Sequence, residues 1–223
     1  MWPVRSQPQP VKGLIVAKKI ISFISIKGGA GKSTLACCVA AELSQKHPII
    51  LIDADPQGGA SAWHRAGEDL AKVKLIIEAG EKAAELAKQA PKDSIVLVDL
   101  AGYGTKTMID VLAITDTAII PCRASALDAL KAIETEKIIQ QVREATRSKL
   151  KTLVVMNGVS RTIISPHIRA ELKSSGLTVA QTEIGQRTAY AIAGLQGSAP
   201  CFMGSSARTA AREIKNLAKE IIK

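Results

Sequence analysis

With 223 residues, 47% hydrophobic and 22% charged, the chain has the size and composition of one α/β domain and excludes a disordered or fibrous protein. No apolar run approaches the roughly 18 to 20 residues that span a bilayer, and the N-terminus lacks a signal-peptide pattern, so the expected location is the cytoplasm. The formal net charge of +10 falls mostly in the C-terminal half, which suggests a polyanionic partner, nucleic acid ahead of anionic lipid, against the plainer reading of a solvated surface.

Residues 1 to 19 carry Pro3, Pro8, Pro10, Gln7 and Gln9 and little hydrophobic periodicity before Val16, the pattern of a flexible basic tail. Its Arg5, Lys12, Lys18 and Lys19 could touch a phosphate backbone; a start codon misassigned upstream of the domain is the other reading. From Ile20 short apolar runs alternate with helical stretches, and residues 20 to 223 read as a single domain. Strands are expected at Ile20 to Ile26, Ile49 to Asp53, Val73 to Ile77, Ile95 to Leu100, Thr117 to Pro121 and Leu153 to Asn157, with a weaker one at Thr178 to Thr182. The clearest helices are Lys32 to Lys46, Glu81 to Gln89, Leu127 to Arg147, Pro166 to Ser174 and Ala207 to Ile222. Right-handed crossovers turn this alternation into a doubly wound, mostly parallel sheet with helices on both faces, whose ligands sit beyond the carboxyl ends of the strands. Cys37, Cys38, Cys122 and Cys201 form no CxxC pair and read as reduced thiols.

Lys27-Gly28-Gly29-Ala30-Gly31-Lys32-Ser33-Thr34 lies between the first strand and the first helix, the context a phosphate-binding loop requires. Glycines let successive backbone N–H groups converge on phosphate oxygens, and the helix points its positive end there. Lys32 would reach the β- and γ-phosphates of ATP and Ser33 would place its hydroxyl on Mg²⁺. Two acids, Asp53 and Asp55, follow at the end of the second strand, and Ile95-Val96-Leu97-Val98 closes on Asp99. An Asx-type turn accounts for Asp53 or Asp55 singly but not for the Pro56-Gln57 that follows.

Position 26 is Ile where the usual loop has its first Gly, and an additional lysine stands at Lys27. In this the segment resembles the deviant Walker A loop of the ParA and MinD group of ATPases. The resemblance runs from about Ile20 to the C-terminus and is strongest to the small ParF-like members. It takes in Asp53-Ala54-Asp55-Pro56-Gln57, Trp63, Ile119-Ile120-Pro121, Leu127-Asp128 and Gln186-Arg187. It implies a P-loop ATPase using ATP and Mg²⁺, in which Lys27 crosses to the nucleotide of a second subunit. Asp55 then polarises the attacking water, Asp53 holds the loop and the metal's hydration shell, and Asp99 holds Mg²⁺ through water. Gly102 serves as a nucleotide-sensing switch and Asn157 lies near the base. Arg123 and Ala126 depart from the family, which has prolines beside the nucleotide there.

The resemblance further implies a partition ATPase: an ATP-dependent homodimer that binds nonspecific double-stranded DNA and is reset by hydrolysis. The stimulating partner would be a centromere-binding protein of ribbon-helix-helix or ParB-like type, and the ATP-bound form would associate with the nucleoid. The expected DNA surface comprises Arg161, Arg169, Lys173, Arg208, Arg212 and Lys215. Two rivals remain open. A MinD-like membrane switch would use the stripe Ile214, Leu217, Ala218, Ile221 and Ile222, whose ordinary use is to cover the sheet. A positioning ATPase for another cargo would run the same DNA cycle.

Overall fold

The computed structural model describes residues 19–102, 106–160 and 163–223. Apart from Lys19, the expected N-terminal tail lies outside the described residues, as do Tyr103, Gly104 and Arg161.

The elements run β1 (Lys19–Phe23), α1 (Lys32–Ser44), β2 (Ile49–Ala54), α2 (Gly59–Arg65), β3 (Val73–Ile77), α3 (Ala83–Gln89), β4 (Ile95–Leu100) and α4 (Lys106–Leu112). They continue with β5 (Thr117–Cys122), α5 (Ala126–Thr146), β6 (Lys151–Val159), α6 (Ile164–Ser174), β7 (Ile184–Gly185), α7 (Thr188–Gln196) and α8 (Arg208–Ile221), with two short 3₁₀ turns before α8. The sheet has seven strands in the order β3-β2-β4-β1-β5-β6-β7, all parallel. The doubly wound expectation therefore holds.

Alternation along the strands creates two cores. Ile20, Ile50, Ile52, Val96 and Val98 face one layer with Met108, Ala132, Ile139 and Ile168 of α4, α5 and α6. Ile21, Phe23, Leu51, Ile95 and Leu97 face the other with Leu35 and Val39 of α1 and Ile214 and Leu217 of α8. The central strands are covered on both sides, and so read as unbroken apolar runs rather than as alternating ones. The α8 stripe is thus spent on the sheet: Ile214, Leu217, Ala218 and Ile221 are buried. Among the described residues no helix is long and apolar enough to cross a membrane.

Three expectations are corrected. β1 ends at Phe23 rather than Ile26, because after the Ile24 N–H bond to Ile119 O (2.9 Å) the backbone leaves the ladder; Ile26 N turns to the Thr135 hydroxyl (3.4 Å). The weak strand at Thr178 to Thr182 shrinks to one bridge, Val154 with Val179. There Glu220 of α8 accepts the amides of Gln181 (2.7 Å) and Thr182 (3.2 Å), so a side chain replaces the ladder, and the last strand forms at Ile184–Gly185. Short helices α2, α4 and α7 were not among the expected elements; α2 and α4 have seven residues each, too few for a helical period to stand out.

Candidate functional site

The phosphate loop occupies the turn between β1 and α1, at the carboxyl edge of the sheet. Gly29 (φ 72°) and Gly31 (φ 98°) hold left-handed backbone that a side chain would strain. Gly31 also has no room for one: a Cβ would meet Asn157 Nδ2 at 2.2 Å. That nitrogen donates to Ala30 O (2.7 Å), so the end of β6 pins the loop across 127 residues. Asn157 lines the cavity as well, so the residue expected near the base is also a loop anchor.

A cavity of about 790 Å³ opens over the loop. Its phosphate end is lined by Gly28, Gly29, Gly31, Lys32, Ser33 and Thr34, with Asp55 and Gln57 from the β2 loop and Gly102 after β4. The other end is formed by Asn157, Gly185, Gln186, Arg187 and Tyr190. The right-handed crossovers bring these segments, far apart in sequence, to one edge.

The three acids divide their work. Asp53 is fully buried and both its oxygens are taken by backbone, Oδ1 by Asp55 N (3.2 Å) and Oδ2 by Ser61 N (2.7 Å); it fastens the β2 loop to α2. Asp55 Oδ1 accepts Gln57 N (2.9 Å), an Asx turn, and the residue also lines the cavity. Asp99 differs: it is fully buried and neither carboxylate oxygen is satisfied by a hydrogen bond. Burial pushes its carboxyl up to about 7, with the neighbouring Ser33 hydroxyl and Lys32 ammonium opposing and Asp53 adding to the rise. A buried, unsatisfied carboxylate beside a serine hydroxyl is a donor set suited to a hydrated Mg²⁺, which takes few protein ligands. The residues fit the metal at Ser33 and Asp99, whereas Asp53 spends its oxygens on the loop.

Lys27 sits at the rim, half exposed, its Nζ 2.5 Å from Asp128 Oδ2 of α5. Ser125 caps α5 by accepting Asp128 N (3.1 Å) and also bonds the carboxylate. Burial alone would raise the Asp128 carboxyl, but Lys27 and Ser125 more than offset it and its pKa lies below the usual value. The lysine that a generic phosphate loop lacks is thus held by its own chain, next to the exposed Leu127 and Leu130.

Residues 21–200 match the family model described as the CobQ/CobB/MinD/ParA nucleotide binding domain. The chain belongs to the ParA/MinD family of ATPases. It is 32% identical over 177 residues to Protein ParA of Rhizobium radiobacter, covering 77% of this chain and 80% of that protein. It is 28% identical over 207 residues to the maintenance of carboxysome distribution protein A of Halothiobacillus neapolitanus, covering 91% and 95% of the two chains. Among solved structures, the Cyanothece McdA–ATP complex superposes with a TM-score of 0.76 at 18% identity, covering 92% of this chain and 96% of that one. As a ParA-type ATPase, the chain binds ATP with Mg²⁺ and hydrolyses it.

The cationic surface is sorted by the fold. Arg208, Arg212 and Lys215 are exposed on α8 at i, i+4 and i+7, opposite its buried stripe, and Lys173 is exposed at the end of α6. Arg169 differs from these: it is only partly exposed and its guanidinium bonds Glu183 Oε1 (2.9 Å) and Ala180 O (2.7 Å). Arg161 lies outside the described residues. Sequence reasoning did not assign Tyr190 or Gly185 to the cavity; the Gln186-Arg187 pair between them was the one available signal. The cysteines are free thiols, and burial pushes Cys122 up to about 12, which keeps it protonated.

Proposed function

We propose that this ATPase partitions DNA: with Mg²⁺ and ATP it forms a sandwich homodimer, binds nonspecific duplex DNA, and is reset by hydrolysis when a centromere-binding partner engages it. The observation that carries this reading is Lys27, a cation beside the phosphate loop that is held by Asp128 and is 37% exposed; on this reading it is free to turn to a facing subunit. In the dimer Lys27 leaves Asp128 for the partner's phosphates, Lys32 holds the phosphates of its own nucleotide, and Asp55 orients water. Ser33 and Asp99 would hold Mg²⁺, whose charge offsets that of the phosphates. Doubling the exposed cations Arg208, Arg212, Lys215 and Lys173 makes DNA binding multivalent and dependent on salt. The protein would be cytoplasmic, and on the nucleoid when ATP is bound.

Retardation of unrelated duplex DNA with ATP and with ADP across a salt series tests this. ATP-dependent binding that weakens steeply with salt, and is lost in Lys27→Ala although that variant still binds nucleotide, is the expected result. Liposome binding without DNA binding would instead support a MinD-like membrane switch. A second reading keeps the cycle and changes the cargo: the relative named for carboxysome distribution supports a positioning role for a body other than DNA. Co-purification of the partner encoded beside the gene separates these cargoes.

A further inference from the structure

Beyond the phosphate end, polar side chains converge most densely on one carboxylate, Glu213 of α8. It accepts Arg187 Nε (3.1 Å to each oxygen) and Nη2 (2.5 Å), the Tyr190 hydroxyl (3.0 Å) and the Gly185 N–H (3.3 Å). Gly185, Arg187 and Tyr190 all line the nucleotide cavity, whereas Glu213 stands behind them. The pair is bidentate and charge-assisted, with the Glu213 side chain 15% exposed and that of Arg187 37% exposed, so it is sheltered from water on the glutamate's side. Gly185 belongs to the arrangement: a Cβ there would lie 3.0 Å from Arg187 Nη2, against the guanidinium. Without its clamp an arginine in a cavity wall is a long flexible chain whose ordering costs binding energy.

α8 makes a second polar tie nearby through Glu220, which takes the Gln181 and Thr182 amides and touches none of the cavity residues. Two carboxylates on one helix therefore hold the same region of chain, and only one reaches the nucleotide wall. That pair supplies an internal control.

We propose that Glu213 is a positioning residue for the nucleotide: from α8 it presets Arg187 and Tyr190 at the cavity wall, so that nucleotide binding and the seating of α8 are coupled. Coupling of binding free energies is reciprocal, so ATP tightens α8 to the degree that a loosened α8 weakens ATP. Because α8 also presents Arg208, Arg212 and Lys215, the contact gives a one-step route from nucleotide to cationic face. That last consequence rests on the DNA reading above; the effect on nucleotide does not.

The test is equilibrium binding of mant-ATP to the full chain, with melting curves run in parallel. Glu213→Gln, which keeps shape and removes charge, should weaken binding about tenfold. Glu213→Asp should recover most of the loss, and Glu220→Gln should bind as wild type even if it melts earlier. Arg187→Ala should match Glu213→Gln, and the double variant should lose no more than either, since one acts through the other. Hydrogen exchange at residues 208–221 should slow with ATP in the wild type and not in Glu213→Gln. Wild-type affinity in folded Glu213→Gln, an equal loss in Glu220→Gln, or additive losses would overturn the proposal. Should Glu213→Gln not fold, Arg187→Lys breaks the same fork from the cavity side, and unchanged affinity there overturns it equally. DNA retardation is scored separately, so a failed DNA reading leaves the nucleotide coupling standing and a failed coupling leaves the DNA reading standing.

Discussion

The two ends of the nucleotide cavity are built on different principles. The phosphate end centres on one contiguous stretch, Gly28 to Thr34, in which Gly29 and Gly31 are required by φ values of 72° and 98° and backbone N–H groups are expected to meet the phosphates. The other end is assembled from residues far apart in sequence, with Asn157 bonding Ala30 across 127 positions and Arg187 bonding Glu213 across 26. Backbone recognition compresses into a motif; side-chain recognition across a sheet edge does not. Substitutions should follow suit, abrupt at the phosphate end and graded at the other.

The largest expected effect tests that contrast directly. Lys32→Ala removes the cation expected on the phosphates and should cost more than about 100-fold in ATP affinity, measured by equilibrium binding. Asn157→Ala removes the tie to Ala30 and one uncharged side chain of the cavity wall and should cost about tenfold. If the two losses were equal, the ends would not differ in kind.

Next comes a separation within the phosphate end. Asp55 lines the cavity with one oxygen in a turn, while Asp53 is committed to backbone. Asp55→Ala should retain ATP binding and reduce single-turnover hydrolysis by about 100-fold or more. Asp53→Ala should instead lower the melting temperature, because the buried Ser61 amide and the part-buried Asp55 amide lose their acceptor. Unchanged turnover in Asp55→Ala would remove it from the chemistry.

The same contrast explains what was legible beforehand. The parallel sheet could be read because its core strands are buried on both faces and appear as apolar runs, as with Ile95 to Leu100. The loop and the acids Asp53, Asp55 and Asp99 could be placed at the carboxyl edge because each lies at or just beyond the end of a strand that the pattern located. Glu213 was not: a glutamate on an amphipathic helix looks like any solvated charge until β7 and α7 are folded against it. The partners of Arg169 were hidden for the same reason, since no pattern shows that Glu183 and the Ala180 carbonyl wait for it. The strand expected at Thr178 to Thr182 stops after Ala180 bonds Val154, because Glu220 takes the Gln181 and Thr182 amides from 39 and 38 residues away.

Asp99 adds a test by pH. Burial lifts its carboxyl from 3.8 to about 7, whereas in the unfolded chain it ionises near the lower value. Between those values the unfolded chain binds fewer protons than the nucleotide-free fold, so stability falls as pH rises and the loss is complete above about 7. Asp99→Asn, which cannot ionise, should therefore gain on the wild type between pH 5 and pH 8 by on the order of 2 to 4 kcal/mol, read from denaturant melts without Mg²⁺. A difference that does not vary with pH would mean that another group neutralises Asp99.

The smallest effect concerns a joint between the two ends. Trp63 of α2, just beyond the Asp55 switch, donates Nε1–H to Ser198 O (2.7 Å) and lays its ring against Gly194, where a Cβ would lie 3.2 Å away. Close by, Gly67 and Gly197 approach so tightly that a Cβ on Gly197 would fall 2.0 Å from Gly67 N. The switch segment and the far end of α7 are thereby bolted together, while the near end of α7 lines the cavity at Tyr190 and Ala191. Trp63→Phe keeps the ring and drops one hydrogen bond, so it should cost about 1 kcal/mol and a few degrees of melting temperature. If the joint only stabilises the fold, ATP affinity and turnover stay as they were. If it also transmits the state of the switch, Trp63 emission in a Trp2→Phe background should differ between ATP and ADP, and Trp63→Phe should lower turnover at unchanged affinity. The second outcome would make the ends one mechanical unit despite their separate construction; the first would leave them joined only through the nucleotide.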